Sequence, residues 1–476
     1  MRTNEFDAAM STPELAVRFL VLALLSGSVA ALAYFAWGLN NAQVISVTVF
    51  LIIILATLLF WTFRLAIAFI GLPVLILTGT LDLQCFREHC ALEVILFLIG
   101  MMVVVGGLRD LGFFTWIIQG ILRMKGMTGR RFVLISGGAS ALTASAVDEV
   151  TSILFMAALI FQVCDVLKVR PVPFLIISVM ATNIGSSGTM LGNPVGILIG
   201  SRAGLTFEDF ILWAFPVMLV SLLATMALLL VWYREEIREV DKRLQQRRGH
   251  ALPLGPTVAV PYRRGLLLIT GTIGLVALHH RIELLLGLET NTVLYMAPLV
   301  SAGIVMIWRR GRARHYIEHD VEWWTLLFFL MLFGVAATLQ YTEVTNEIAL
   351  SLKHQIGGKP EMLVPLVMSM AALGSAFVDN VIFVSAFIPV VQQLVGETAT
   401  VHPLWWALLF GACFGGNITM IGSTANIVAL GMLEKRYRIR IHFFEWFRVG
   451  LAAGLIASVV AWMVLSVTGP LMTGQG

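Results

Sequence analysis

Runs of about twenty apolar residues recur along the whole chain, and each run is long enough to cross a bilayer as a helix. Hydrophobic residues make up 58% of the 476 residues, whereas charged residues make up only 13%. A soluble domain of this length has too little interior to bury so much apolar surface. Because backbone polar groups must be satisfied internally in lipid, the sequence predicts an all-α polytopic membrane protein.

The candidate spans and the basic residues together predict a topology. Spans are placed near residues 17–37, 43–62, 65–81, 93–110, 171–201, 209–232, 265–282, 291–308, 322–342, 403–431 and 446–468. Basic residues cluster at 123–131, 168–170, 234–264, 309–314 and 435–440. If the chain lies in the cytoplasmic (inner) membrane with its N-terminus in the cytoplasm and its C-terminus outside, all these clusters face the cytoplasm, as the positive-inside rule expects. The segments 132–165 and 361–396 must then be re-entrant hairpins.

This counting predicts two inverted repeats after one extra N-terminal helix. Each repeat has five transmembrane helices, one of which is broken, and one re-entrant hairpin. Because five helices cross the membrane an odd number of times, the second repeat enters it in the inverted orientation. The expected parts are 1–42 (tail and extra helix), 43–232 (first repeat, broken helix 171–201), 233–264 (cytoplasmic linker) and 265–476 (second repeat, broken helix 403–431). Three prolines and mixed charge predict that the linker is a solvated loop.

A duplicated motif pair lies inside these apolar segments. The tip Ser145-Ala-Val-Asp-Glu-Val-Thr151 is followed, 41 residues after Asp148, by Thr189-Met-Leu-Gly-Asn-Pro-Val-Gly-Ile197. The tip Ser375-Ala-Phe-Val-Asp-Asn-Val381 is followed, 40 residues after Asp379, by Thr419-Met-Ile-Gly-Ser-Thr-Ala-Asn-Ile427. Acidic and amide side chains beside glycine-broken helices at membrane depth are typical of the paired binding elements of secondary transporters.

The acidic residues Asp148, Glu149 and Asp379 are the candidates for proton coupling. A charged side chain at the bilayer centre costs roughly 2.5–3.5 kcal/mol on the insertion scale. Because two neighbouring carboxylates repel, one of the pair Asp148 and Glu149 is expected to keep a proton that can exchange for a cation. The alternative is that residues 148–149 form an exposed loop between two ordinary spans.

Polar and small residues around the two tips are the candidates for ion or substrate binding. Carboxylate, amide and hydroxyl oxygens are suitable ligands for a hard cation such as sodium. Glycine and proline interrupt the helix, so that backbone carbonyl and N–H groups become available for coordination. The binding candidates are Thr151, Asn183, Thr189, Gly192, Asn193, Asn380, Asn417, Thr419, Gly422, Ser423 and Asn426. A transported sodium is expected at Asp148, Asn193, Asp379 and Ser423. The alternative is that the small residues line close helix contacts.

Other chemistries lack their sequence signals. The chain has no Gly-x-x-x-x-Gly-Lys-Ser/Thr loop, no His-Glu-x-x-His and no Gly-x-Ser-x-Gly, so neither an ATPase nor a hydrolase is predicted. No cofactor is expected beyond a coupling Na⁺ or H⁺. The formal charge of +4 resides mainly in short loops, which argues against a nucleic-acid partner. Cys85 and Cys90 share a predicted outer loop, where a disulfide and two thiols are both compatible with the spacing.

The motif pairs resemble the ion transporter superfamily, which includes arsenite permeases, NhaD-type sodium/proton antiporters, the P protein and citrate/dicarboxylate carriers. Its arsenite-permease and P-protein branches show Asp-Asn-Val-Thr and then Asn-Ile-Gly-Gly-Thr-Ala-Thr-x-Ile-Gly-Asp-Pro-Pro-Asn. This chain has Asn183-Ile-Gly-Ser-Ser-Gly-Thr-Met-Leu-Gly-Asn-Pro-Val-Gly196, and 415–426 is similar to the second half of the family. The resemblance implies a homodimer in which a transport domain carries both hairpins and both broken spans across the membrane.

Three departures from the pattern concern the site itself. Glu149 stands where the family has Asn, Asn193 where it has Asp, and Gly196 where it has Asn. We therefore hypothesise that Glu149 takes over the charge that position 193 lacks. The dicarboxylate branch favours Ser-Asn-Thr at both tips, and neither tip here has it.

These observations favour a proton- or sodium-coupled secondary transporter, with sodium/proton antiport by alternating access ahead. The alternative in the same class is a carrier of a small oxyacid or anion, such as arsenite or, less favoured, citrate or a dicarboxylate. Arsenite export can use a separate ATPase subunit, which nothing in the sequence indicates. A different class is an uncoupled channel or a membrane scaffold that has kept the fold.

Overall fold

The computed structural model describes residues 12–35, 37–60, 63–124, 126–247, 261–355, 362–396 and 403–472. All regular elements in these ranges are helical, which confirms the predicted all-α class. Six of the described helices are long and apolar enough to cross a membrane, or up to eight if each of two bent pairs counts as one span. Several further apolar helices are shorter, and four of these lie beside the predicted motifs: Val172–Gly185, Leu363–Phe377, Asn380–Val395 and Pro403–Gly415.

The helices of the N-terminal half are interrupted at two of the predicted positions. They are α1 (Thr12–Phe35), α2 (Asn41–Leu59), α3 (Arg64–Leu77), α4 (Leu83–His89), α5 (Leu92–Asp110), α6 (Phe113–Leu122), α7 (Gly129–Ala146), α8 (Glu149–Leu167), α9 (Val172–Gly185), α10 (Pro194–Ala203), α11 (Phe207–Trp232) and α12 (Arg234–Arg247). The hairpin predicted at 132–165 corresponds to α7 and α8. The broken span predicted at 171–201 corresponds to α9 and α10.

The C-terminal half repeats this series of interruptions. It contains α13 (Tyr262–Ala277), α14 (His279–Leu286), α15 (Thr292–Trp308), a bent helical segment Arg310–Asp320, α16 (Trp323–Tyr341), α17 (Val344–Gln355), α18 (Leu363–Phe377), α19 (Asn380–Val395), α20 (Pro403–Gly415), α21 (Thr424–Tyr437) and α22 (Phe443–Met472). Helices α18 and α19 correspond to the hairpin predicted at 361–396, and α20 and α21 correspond to the broken span predicted at 403–431. The re-entrance of the two hairpins stays a prediction, since α8 is itself long and apolar enough to cross a membrane. The inverted relation between the halves also stays a prediction.

The chain falls into two compact units. The smaller unit combines Met1–Ala91 with Trp323–Leu352. Hydroxyl groups connect its helices, since Thr338 Oγ1 donates to the Thr80 carbonyl at 2.7 Å and shares a hydrogen bond with Ser46 Oγ at 3.0 Å. Gly334 lies against Phe86, where an added Cβ would be 2.2 Å from the ring. Small and hydroxyl-bearing residues therefore make the close helix contacts of this unit, as is common in membranes.

The larger unit combines Leu92–Glu322 with Lys353–Gly476 and contains both hairpins and both broken spans. Each broken span packs tightly against the first helix of its own hairpin. A Cβ on Gly185 would lie 2.3 Å from Ala141 Cα, and a Cβ on Gly415 would lie 2.3 Å from the Ala372 carbonyl oxygen. Because only glycine allows this approach, each hairpin tip is held beside the break in the neighbouring span.

The expectation that the linker is a loop is wrong for residues 234–247, which form α12. Tyr233, Ile237 and Val240 are buried at helical spacing, while the charged residues lie on the other side. Residues 248–260 of the predicted linker lie outside the described residues. The short helices α4, α6 and α17 were not predicted either. Cys85 and Cys90 form no disulfide, nor do the other two cysteines, and all four are in the described part of the chain.

Candidate functional site

The acidic residues at the two hairpin tips cap the helices that follow them. Asp148 Oδ1 accepts a hydrogen bond from the backbone N–H of Thr151 at 2.7 Å. Asp379 Oδ1 accepts one from the backbone N–H of Val381 at 3.0 Å. Each carboxylate thus satisfies a backbone donor and lies at the positive end of a helix dipole. The loop alternative for 148–149 is wrong, because Glu149 is the first residue of α8 and only 4% exposed.

The broken spans restart at equivalent polar residues. Asn193 Oδ1 accepts from the Gly196 N–H at 2.9 Å, and Ser423 Oγ accepts from the Ala425 N–H at 3.2 Å. Glycine, proline and short polar side chains favour exactly such interruptions, since they end one helix and cap the next. Four helices of the larger unit therefore begin at residues that the sequence singled out for binding.

Asn183 connects the first half of the chain to the second through three buried hydrogen bonds. Its Nδ2 donates to Asn417 Oδ1 and to Asn426 Oδ1, each at 2.9 Å. Its Oδ1 accepts from Ser423 Oγ at 3.1 Å. We call Glu149, Asn183, Asn417, Ser423 and Asn426 the central cluster, and each of them is at most 4% exposed. The structure thus brings together five of the predicted site residues.

A second contact between the two halves of the chain is made by the residues equivalent to Ser423 and Asn183. Asn193 Nδ2 donates to Ser186 Oγ at 2.9 Å and to Cys413 Sγ at 3.2 Å. Asn193 and Ser423 stand at the same position after Thr189 and Thr419, and Asn183 and Cys413 stand at the same position before them. The pairs Ser423–Asn183 and Asn193–Cys413 are therefore the same contact made once from each half. In one pair the acceptor is an amide oxygen, and in the other it is a thiol sulfur.

Glu149 is the acidic member of the central cluster. Its Oε1 lies 3.5 Å from Ser423 Oγ, and its carboxyl also interacts with Ser186. Its Oε2 is buried and has no hydrogen-bond partner among the described residues. A buried carboxylate oxygen without a donor is costly unless it carries a proton or contacts a cation. The geometry therefore leaves one oxygen of Glu149 available for either.

Other predicted residues have structural contacts instead. Thr189 Oγ1 donates to the Ser145 carbonyl and Thr419 Oγ1 to the Ala376 carbonyl, so each ties a break to a hairpin tip. A Cβ on Gly192 would lie 2.1 Å from the Ser186 carbonyl oxygen. A Cβ on Gly422 would lie 2.9 Å from the Gly416 carbonyl oxygen. For these glycines the alternative of close packing is the one that the structure favours.

The remaining predicted residues surround the cluster without a shared contact. Asn380 is 1% exposed and its Nδ2 has no hydrogen-bond partner in the described part of the chain, while Thr151 contributes its backbone N–H to Asp148. The four residues expected to bind sodium each have hydrogen bonds to further residues: Asp148 to Thr151, Asp379 to Val381 and Thr424, Asn193 to Ser186, and Ser423 to Asn183. A sodium ion at these four positions stays a prediction. Among the described residues no group of three or more His, Cys, Asp and Glu side chains could hold a metal ion.

Three further residues complete the site: Thr424, which the sequence groups with Gly422, Ser423 and Asn426 at the second break, and Ser186 and Trp446, which sequence reasoning missed. Thr424 Oγ1 donates to Asp379 Oδ2 at 2.8 Å, which joins the second tip to the second break. Trp446 Nε1 donates to the Asn417 carbonyl at 3.0 Å. Ser186 Oγ accepts from Asn193 Nδ2 at 2.9 Å and donates to the Asn183 carbonyl at 3.0 Å. Ser186 lies inside a recognised motif and could have been included, whereas no local pattern indicates Trp446.

Comparison with known proteins agrees with this geometry. A family model described as citrate transporter matches residues 49–411 and 355–472. The chain belongs to this CitMHS family. It is accordingly an integral, multi-pass membrane transporter, and the resemblance to the ion transporter superfamily is confirmed.

Relatives of this CitMHS member include two groups of curated proteins. An uncharacterized transporter of Mycobacterium tuberculosis H37Rv is 34% identical over 382 residues, covering 78% of this chain and 85% of the relative. The human P protein is 28% identical over 459 residues, covering 80% of this chain and 54% of the relative. The crystal structure of the Alcanivorax borkumensis YdaH transporter, 15% identical, matches with a TM-score of 0.52 over 90% of this chain and 98% of that one. This last likeness supports the fold alone.

Proposed function

We propose that this chain is a secondary active transporter that exchanges sodium or a similar monovalent cation for protons by alternating access. The observation that carries the proposal is Glu149, a buried carboxyl in the central cluster with one oxygen lacking a hydrogen-bond partner among the described residues. A proton or a cation on that oxygen neutralises the carboxyl. Because the two neutralise the same charge, binding of one competes with binding of the other.

The surroundings of Glu149 supply the oxygen ligands that a small hard cation needs. Ser423 Oγ lies 3.5 Å from the carboxyl, and Asn183 Oδ1 lies 3.1 Å from the same hydroxyl. Carboxylate, hydroxyl and amide oxygens are the ligands that such cations prefer. The hydrogen bonds that join the cluster are made by amide, hydroxyl and carboxyl groups.

The second candidate is proton- or cation-coupled transport of citrate or a related carboxylate. The description of the matching family model favours it. The acidic residues at both tips oppose it, because an unshielded anion is repelled by carboxylates. A carboxylate substrate would therefore have to enter together with protons or cations.

The deciding experiment uses purified protein in liposomes with an imposed pH gradient and an internal pH dye. Sodium, lithium or potassium pulses are compared with uptake of labelled citrate. We expect sodium or lithium to dissipate the gradient in the wild type and in Glu88→Gln, an exposed control, but not in Glu149→Gln. Citrate uptake without a proton response to cations would favour the second candidate, and silence in both assays would favour a channel or a scaffold.

The same proposal includes the predicted setting of the transporter. It places the N-terminus in the cytoplasm, pairs the chain with a second copy, and relates 43–232 to 265–476 as inverted repeats. The duplicated contacts Ser423–Asn183 and Asn193–Cys413 support the repeat. The basic loops support the orientation.

A further inference from the structure

Helices α8 and α21 start together at the central cluster and pack against each other along their length. Glu149 begins α8, Ser423 precedes α21, and the two side chains approach to 3.5 Å. Asp165 lies 16 residues after Glu149, and Arg436 lies 13 residues after Ser423. At 1.5 Å per residue, both positions are about 20–24 Å from the cluster. The two helices therefore leave the site in the same direction.

A three-residue contact joins the far ends of these helices. Arg436 Nη2 lies 2.5 Å from Asp165 Oδ2, and Tyr437 OH donates to Asp165 Oδ1 at 2.6 Å. The Tyr437 hydroxyl is also 3.3 Å from the Phe161 carbonyl, and the Arg436 guanidinium lies 5.8 Å from the Phe161 ring centre. We call Asp165, Arg436 and Tyr437 the clamp. It uses both carboxylate oxygens of Asp165, so it fixes the register as well as the distance of the two helix ends.

The other pair of site helices is joined differently. Helices α10 and α19 start after Asn193 and Asp379, the residues equivalent to Ser423 and Asp148. Toward their far ends, Gln392 Nε2 of α19 donates to the Arg202 carbonyl of α10 at 3.4 Å. This neutral contact is long, whereas the clamp is short and charged. The charged contact between Asp165 and Arg436 joins the pair of helices that carries Glu149.

We propose that Asp165, Arg436 and Tyr437 are positioning residues that set the spacing between Glu149 and Ser423 from the opposite end of the helix pair. The proposal rests on the proposed function in taking Glu149 as the coupling group. An α-helix is stiff over this length, so two helices held at one end keep their register at the other. Sliding α21 by one turn, about 5.4 Å, would break both the clamp and the Glu149–Ser423 contact.

The first test measures cation-dependent proton release in liposomes as a function of sodium or lithium concentration. Arg436→Gln and Asp165→Asn should raise the apparent KM for the cation by up to about fivefold, the effect of an exposed ion pair of about 1 kcal/mol. The charge-exchanged double variant Asp165→Arg, Arg436→Asp should recover part of the wild-type KM. Arg440→Gln is the matched control, since it removes a 2.5 Å ion pair with Glu434 in which neither residue belongs to α8.

The second test is independent of transport and uses a native thiol. Cys164 precedes Asp165 on α8 and is 1% exposed. Alkylation by N-ethylmaleimide, located by peptide mass spectrometry, should modify Cys164 at least threefold faster in Arg436→Gln than in the wild type or in Arg440→Gln. Labelling of Cys85, far along the chain in the other unit, should be equal in all variants and reports intact folding.

The outcomes separate the two proposals. If neither sodium nor lithium moves protons in the wild type, the proposed exchange is wrong, while the Cys164 labelling rate still decides whether the clamp holds the helix pair. Faster Cys164 labelling with a raised and partly recoverable KM would support the positioning role. Unchanged Cys164 labelling in Arg436→Gln, or a double variant that is worse than both single variants, would overturn it.

Discussion

Glu149 is the residue on which the proposed coupling depends. A proton or a cation on its unpartnered oxygen can neutralise the Glu149 carboxylate. A glutamine side chain carries no negative charge, so it neither takes up this proton nor attracts the cation as a carboxylate does. We expect Glu149→Gln to reduce exchange by at least about tenfold, as loss of 1.4 kcal/mol of ion binding would. Full exchange in this variant would rule out the assignment, whichever ion is transported.

The charge of the site is expected to be relocatable between positions 149 and 193. Asn193 reaches Asn183 through Ser186, which accepts from Asn193 and donates to the Asn183 carbonyl. Glu149 reaches Asn183 through Ser423, which lies 3.5 Å from the carboxyl and donates to Asn183 Oδ1, so both positions belong to one buried polar network. We predict that the double variant Glu149→Asn, Asn193→Asp recovers some exchange, whereas Glu149→Asn alone does not. The measurement is the same dye assay. Equal inactivity of the single and double variants would show that position 193 cannot carry the charge.

Asn183 is predicted to matter for stability as well as for binding. An aspartate there keeps the shape but cannot donate to Asn417 and Asn426, whose amide oxygens would then face a carboxylate. Each lost partner in a buried network costs about 1–3 kcal/mol. Asn183→Asp should therefore lower the midpoint of thermal unfolding in detergent, while the exposed control Asn41→Asp should not. Similar midpoints for both variants would contradict this role.

At the scale of the elements, glycine determines how closely a broken span approaches its hairpin. Gly185→Ala would place a Cβ 2.3 Å from Ala141 Cα, and overpacking of this kind costs about 1–3 kcal/mol. We expect lower thermal stability and slower exchange. Gly138→Ala is the control: Gly138 lies on α7, the helix that Gly185 approaches, and nothing lies within 4 Å of its added Cβ. The prediction fails if both alanine variants unfold at the wild-type temperature.

The sequence predicted the interruptions of the helices better than their contacts. Asp148 and Asp379 were recognisable as acidic residues at matching places in apolar sequence. Asn193 and Ser423 were recognisable because short polar residues beside glycine favour helix starts locally. The hydrogen bonds of Asn183 with Asn417 and Asn426 join residues 234 and 243 positions apart, and no local pattern encodes that pairing. The spacing of Tyr233, Ile237 and Val240 indicates helix α12, but the three prolines that follow it favour a loop, and the prediction extended that loop over the whole linker.

At the scale of the whole molecule, the proposed orientation can be tested by labelling intact cells. The segment between α3 and α5, which contains Cys85 on the short helix α4, is predicted outside, and the exposed end of α21 at Lys435 is predicted in the cytoplasm. A membrane-impermeant maleimide should label Cys85 but should label a Lys435→Cys variant only after the membrane is opened. Labelling of position 435 in intact cells, with Cys85 protected, would reverse the topology.

The amide bridge of Asn183 also constrains how the chain is made. Membrane proteins are inserted as they are synthesised, so Asn183 and Glu149 enter the bilayer long before residues 417–426 leave the ribosome. During that interval their polar groups lack the hydrogen-bond partners that they later acquire, and an unsatisfied polar group inside the bilayer raises the free energy of the chain. A polypeptide released early, after the first repeat, would retain these unsatisfied groups. The cell's membrane proteases would consequently be able to distinguish half-made chains from finished ones.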